Sequence, residues 1–152
     1  MLGRLPGFNF VVTPDVVAEI VLPSQKEQVD NAVAADALRV EGLAGPEMLA
    51  LFAELRRLMG TGEAASLALA VHKGWSVASD EKRSFRREAL ARLGAGRILT
   101  TPGLYVVAIR SGLLSVEEAD ADKATLEACR FNMDFRSFRD LVAAARRRPR
   151  KP

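Results

Sequence analysis

The chain has 152 residues, with 22 Lys and Arg against 19 Asp and Glu, a single His and a formal net charge of +3. That length suits one domain with a sizeable core, so folding requires neither disulfides nor a structural metal. The single cysteine, Cys129, excludes an intramolecular disulfide. The apolar runs are too short for a membrane span, and no signal-like apolar stretch follows Met1, so a cytoplasmic location is expected.

The charge is unevenly placed. Arg146, Arg147, Arg148, Arg150 and Lys151 supply five positive charges at the end of the chain, so without them the formal charge is 3 − 5 = −2. The expected organisation is a slightly acidic domain over 1–145 and a basic tail over 146–152. Whole-chain basicity is therefore a poor argument for nucleic-acid binding. The simplest reading of the tail is a solvated chain end, with phosphate contact as the alternative.

In chain order, Phe8 to Val12 is apolar and β-prone and reads as a strand. Thr13-Pro14 then opens a helix that runs to about Leu22. Ser24 is expected to cap a second helix, from about Gln25 to Ala37, and Leu38 to Glu41 to form a short edge strand. Glu47 to Met59 is an amphipathic helix, with Met48, Leu51, Phe52, Leu55, Leu58 and Met59 at three- and four-residue spacings. Gly60-Thr61-Gly62 leads into a helix over Glu63 to His72 made largely of alanine and leucine, which should pack closely against a sheet.

After Gly74, Trp75 to Ser79 reads as a strand ending at Asp80-Glu81. A charged helix is expected over Lys82 to Leu93, closed by Gly94, then a strand over Arg97 to Thr100. Thr101-Pro102 repeats the cap-plus-proline opening for a helix over Gly103 to Arg110, with Gly112 as its C-terminal stop. Ser115-Val116-Glu117-Glu118 is a capping box that opens a helix towards Cys129. Asp134 is the expected cap of a last helix running to about Arg146. Strands alternating with helices imply parallel strands joined by crossover helices.

Several chemistries are excluded. One Cys and one His cannot build a zinc site, no P-loop is present, and Gly60-Thr61-Gly62 lacks the third glycine of a dinucleotide fingerprint. His72 falls at a helix end, where a favourable interaction with the helix dipole is a simpler account than general-base catalysis. Cys129 reads as a small core residue rather than a nucleophile.

The acidic residues are placed more suggestively. Asp80 follows a strand at its C-terminal end, where ligand sites form in open parallel sheets. Glu63 opens the apolar helix before that strand, and Glu19 lies on the helix after the first strand. Parallel strands would bring these carboxylates to one sheet edge. Such a cluster needs a cation, and oxygen-only ligands suit Mg²⁺ or Mn²⁺. The plainer account makes Glu63 and Asp80 helix caps and Glu19 a solvated residue.

Several segments together resemble the PIN-domain family. Gly60 to Ala70 resembles its "GxGEAxALALA" helix, and Ser79-Asp80-Glu81-Lys82-Arg83 its "(T/S)DDxxAR" strand end. Arg97 to Leu104 is similar to the strand and turn that follow. Ile109 to Leu114, then Phe131 and Leu141, match the pattern beyond, and Val11 to Ile20 is similar to "VVTPxVVxEI". The resemblance spans most of 10–142, with the pieces in family order.

It implies an α/β fold with a doubly wound parallel sheet flanked by helices, and Mg²⁺- or Mn²⁺-dependent cleavage of RNA. By position, Glu19, Glu63 and Asp80 match the family's catalytic and metal-binding acids, and Glu81 a less regular second acid beside Asp80. Many bacterial members are toxins of toxin–antitoxin pairs, so an antitoxin protein and a homodimer are the implied partners besides RNA.

The sequence departs from the family at its start. PIN domains place an aspartate at the end of a first strand that becomes central in the sheet, and this chain opens just before the second strand. The expectation is a sheet lacking its first, central strand, with two unpaired edges. A shortened start, completion of the sheet by another segment or a second copy, and a relative that no longer cuts RNA remain open. The competing function is a catalytically incomplete PIN-like module that binds nucleic acid or protein, with an unrelated doubly wound signalling domain as a third reading.

Overall fold

The computed structural model describes residues 5–81 and 83–146. Lys82 and tail residues 147–152 lie outside them, and with them any phosphate contact of that part of the tail.

The fold is α/β, with short parallel strand pairs set among helices. Its first half runs β1 (Val11–Val12), α1 (Pro14–Glu19), α2 (Pro23–Ala34), β2 (Arg39–Val40), α3 (Pro46–Leu55) and α4 (Thr61–Lys73). The second half runs β3 (Val77–Ala78), α5 (Ser84–Leu93), a single 3₁₀ turn (Ala95–Arg97), β4 (Ile98–Leu99), α6 (Thr101–Arg110), α7 (Val116–Ala128) and α8 (Phe138–Arg146). β1 pairs parallel with β2, with Val11 opposite Arg39 and Val12 opposite Val40. β3 pairs parallel with β4, with Val77 opposite Ile98 and Ala78 opposite Leu99. Among the described residues the two pairs are separate sheets, and no ladder joins β1 to β3.

Proline fixes where four helices begin. Pro14, Pro23, Pro46 and Pro102 each occupy the first or second helical position, where a missing N–H costs nothing. The Thr13 hydroxyl caps α1, accepting the Val16 N–H at 3.4 Å. Pro23 corrects the second helix: it starts at the proline, and Leu22 in front of it makes no side-chain cap, so Ser24 is already inside the helix. α1 ends at Glu19, short of Leu22, because Ile20 turns extended.

Two other caps differ from expectation. Thr100, not Thr101, caps α6, its hydroxyl accepting the Gly103 N–H at 3.2 Å. Asp134 does not cap α8, which begins four residues later. There the Ser137 hydroxyl accepts the Arg139 N–H, and Asp120 of α7 accepts the Phe138 N–H at 2.8 Å and the Ser137 hydroxyl at 2.7 Å. A carboxylate from a neighbouring helix thus supplies the cap and ties α7 to α8.

The core has two centres. α4 is the first: Gly62, Ala64, Ala65, Leu67, Ala68, Leu69 and Ala70 are all buried. Its small side chains let α1, α3 and α5 approach it as well as β3, so its neighbours are mostly helices rather than the expected sheet. Met48 and Leu55 of α3 and Phe85 and Ala89 of α5 close this centre. The second joins α6, α7 and α8 around Tyr105, Ala119, Met133 and Phe138, with Phe138 packed on the Tyr105 and Phe135 rings. Cys129 is exposed at the end of α7, so it is not the core residue expected. His72 is exposed on the last turn of α4.

Candidate carboxylate site

The four acids singled out in the sequence fall at a helix end (Glu19), a helix start (Glu63) and just past a strand end (Asp80 and Glu81). Glu19, the last residue of α1, reaches across 43 residues of sequence, and its Oε1 accepts the Gly62 N–H at 2.8 Å. This contact requires glycine. A Cβ at position 62 would lie 2.6 Å from Glu19 Oε2 and 2.9 Å from Val16 Cγ2. Glu63 closes the same helix start, its Oε2 accepting the Gly60 N–H at 3.0 Å. Two carboxylates therefore satisfy two of the unpaired amides at the positive end of α4.

Asp80 follows β3 and holds the start of α6. Its Oδ1 accepts the Thr101 N–H at 2.9 Å and its Oδ2 accepts the Thr101 hydroxyl at 2.5 Å. Thr101 is free to do this because the helix is capped one residue earlier, at Thr100. Glu81 is exposed; its N–H donates to Ser79 Oγ at 3.1 Å, which leaves its carboxylate to solvent.

Glu63, Asp80 and Glu81 line one cavity of about 380 Å³, together with Arg83, Ser84 and the apolar wall of Leu58, Met59 and Phe85. Glu19 does not line it. Asp80 and Glu81 also border a second cavity of about 590 Å³, beyond the C-terminal ends of β3 and β4. Arg86, Thr100, Asn132 and Asp134 line that cavity with Phe131 and Phe135. The sequence reading missed these four polar residues as site candidates. Asn132 and Asp134 flank the buried Met133, and their return to the strand ends depends on how α6 and α7 pack.

Among the described residues, no group of three or more His, Cys, Asp or Glu side chains is gathered closely enough to hold a metal ion. The donor chemistry of the smaller cavity nevertheless fits a hard divalent cation. Mg²⁺ keeps several waters and uses one or two carboxylates, and Glu63 retains Oε1 while Glu81 retains both oxygens.

Two titrating groups are displaced on the α6–α7 side of the molecule. Burial, and then the hydrogen bond at 3.1 Å to Asp122 Oδ2, push the Tyr105 hydroxyl up to about 12. The Ser115 N–H and hydroxyl hold the Glu118 carboxyl below its ordinary value. Both shifts are structural and stand apart from the carboxylate cavity.

Comparison of the chain with family models, with curated proteins and with solved structures finds no match. Among the described residues no helix is long and apolar enough to cross a membrane.

Proposed function

We propose that the chain is a PIN-like Mg²⁺- or Mn²⁺-dependent endoribonuclease of the toxin type, restrained by an antitoxin protein. The observation that supports this most is the shared cavity: Glu63 from the start of α4 and Asp80-Glu81 from the end of β3 all line it, with no His or Cys among its described lining residues. Glu63 and Asp80 would hold a largely hydrated ion with the exposed Glu81 beside them, and Glu19 would steady the α4 start from Gly62. A bound divalent ion supplies water activation and charge stabilisation on a phosphodiester.

The chain's own contribution is orientation. Gly60 fixes Glu63 and Thr101 fixes Asp80, as outer hydrogen bonds fix metal ligands elsewhere. Arg83 and Arg86, one on each cavity, place positive charge where a phosphate would sit. The test is cleavage of single-stranded RNA by the full chain, with and without Mg²⁺ or Mn²⁺. Asp80→Asn and Glu63→Gln should each lower the rate by about a hundredfold or more, as loss of an electrostatic contact at a reacting phosphate does. Metal-dependent cleavage unchanged in both variants would sink the proposal.

One observation favours a second reading, a PIN-like module that binds RNA or protein without cutting. Asp80 has both oxygens committed to Thr101. Under that reading RNA binding persists in a chelator and no product accumulates with either metal.

A further inference from the structure

The two sheets enclose a cleft. A cavity of about 500 Å³ is lined on one side by Phe8 to Val11, including the first residue of β1, and on the other by Ser76 to Ala78 at β3. Its floor includes Leu69 and Ala70 of α4.

Both strands turn an unpaired edge to this space. In a parallel ladder, alternate residues direct their N–H and C=O groups to opposite edges. Arg39 and Glu41 donate to the carbonyls of Phe10 and Val12, which leaves the Val11 N–H and C=O on the edge away from β2. Ser79 donates to the Leu99 carbonyl, which leaves the Ala78 N–H and C=O on the edge away from β4. No turn or loop among the described residues bonds either inner-edge residue.

Burial agrees with a missing element. Parallel strands are normally covered on both faces. Here Val77 alone among the strand residues is buried, and Ala78 beside it is exposed.

We infer that this cleft takes one extended polypeptide segment from another protein, as a strand running parallel to β1 and β3 and joining the two pairs into one sheet. Strand addition satisfies both inner edges at once and takes its affinity from main-chain hydrogen bonds. The apolar floor selects β-branched or aliphatic side chains. The two charged residues lining the cleft are both arginines, Arg39 at the start of β2 and Arg97 just before β4. Arg97 donates to the Gly74 carbonyl, whereas the Arg39 guanidinium has no hydrogen-bond or ion-pair partner among the described residues. The segment therefore carries an acidic residue at its N-terminal flank. A second copy of this chain is a poor donor, because each of its four described strands is already paired. The inference holds whether or not the carboxylate cavity cleaves RNA.

The experiment is amide hydrogen exchange on the full chain, read by NMR, with a synthetic peptide as probe. The peptide places one glutamate before five alternating valines and isoleucines, and its control carries proline at the central position. At saturation, exchange at Val11 and Ala78 should slow by about tenfold or more, while Arg39, Glu41 and Ser79, already bonded in ladders, change little. Arg39→Glu, on the exposed edge of β2, should weaken binding by about tenfold. Three results would overturn the inference. The Val11 and Ala78 amides could already be protected in the free chain, including by concentration-dependent self-association. The proline control could protect them equally. The probe could fail to bind at about 1 mM, the weakest affinity of interest.

Discussion

Gly62→Ala tests the packing that brings α1 onto α4. The new methyl group would stand 2.6 Å from Glu19 Oε2 and 2.9 Å from Val16 Cγ2. The glutamate can swing away, but it then releases the Gly62 N–H, a charged hydrogen bond contributing about 1.5–3 kcal/mol at most. Glu19 is exposed, so the lower end of that range applies. Val16 is β-branched with a stiff χ1, so relieving its contact moves α1 itself, at about 1–3 kcal/mol. Against these stands about 0.5–1 kcal/mol gained by replacing a helical glycine. The net loss is about 1.5–4 kcal/mol, which lowers the midpoint of thermal unfolding by about 3–16 °C in a chain of this size. Urea unfolding measures the same loss at fixed slope. A variant as stable as the parent, or more stable, would refute the close approach of α1 and α4.

Three further outcomes follow from the α6–α7–α8 side. Asp120→Ala removes the cap that holds Phe138 and Ser137, and should cost about 1–2 kcal/mol in urea unfolding, whereas a loss below about 0.5 kcal/mol would deny it that role. Tyr105 is the sole tyrosine, so phenolate absorbance reads it alone. Its midpoint should stand near 12, and Asp122→Asn should bring it down towards 10.0. Because the folded value is raised, this contribution to stability is complete below pH 10.0 and is lost as pH climbs towards 12. For Glu118 the sign reverses. Its folded value is lowered, so its contribution holds above the ordinary carboxylate range and fades as pH falls through the folded value. Glu118→Gln should flatten that part of the acid limb, and an unchanged limb would contradict the capping box.

What the sequence revealed was local. Thr13-Pro14 and Ser115 to Glu118 cap helices as their spacing predicts, because each cap involves residues three apart. The spacing in Glu47 to Met59 located α3, though the helix ends at Leu55 and Leu58 remains exposed. The caps expected at Ser24 and Thr101 missed by one or two residues, whereas the larger failures involve long-range partners. Asp120 displaces Asp134 as the cap of α8 only because α7 packs beside it. Glu19 meets Gly62 across 43 residues, which no window on the chain reveals. Strands of four or five residues in the sequence reading shrink to two, since a ladder requires a neighbour and, among the described residues, the inner edges of β1 and β3 have none. For the candidate site, the sequence singled out Glu63 at a helix start and Asp80 at a strand end; Glu63 does close its own helix start, whereas Asp80 bonds the start of α6 and not of the helix that follows it. Arg86 and Asn132 were not singled out, and Asp134 only as a helix cap, because their approach to the strand ends is tertiary.

The most direct test of the proposed metal chemistry is thermal unfolding of the full chain with and without Mn²⁺, beside Asp80→Asn and Glu63→Gln. An ion at about a hundred times its dissociation constant stabilises the native state by about 2.7 kcal/mol, which raises the midpoint by roughly 5–10 °C. The account predicts that rise in the parent chain and its loss in both variants. An equal rise in parent and variants, or none in the parent, would contradict a metal site at Glu63 and Asp80.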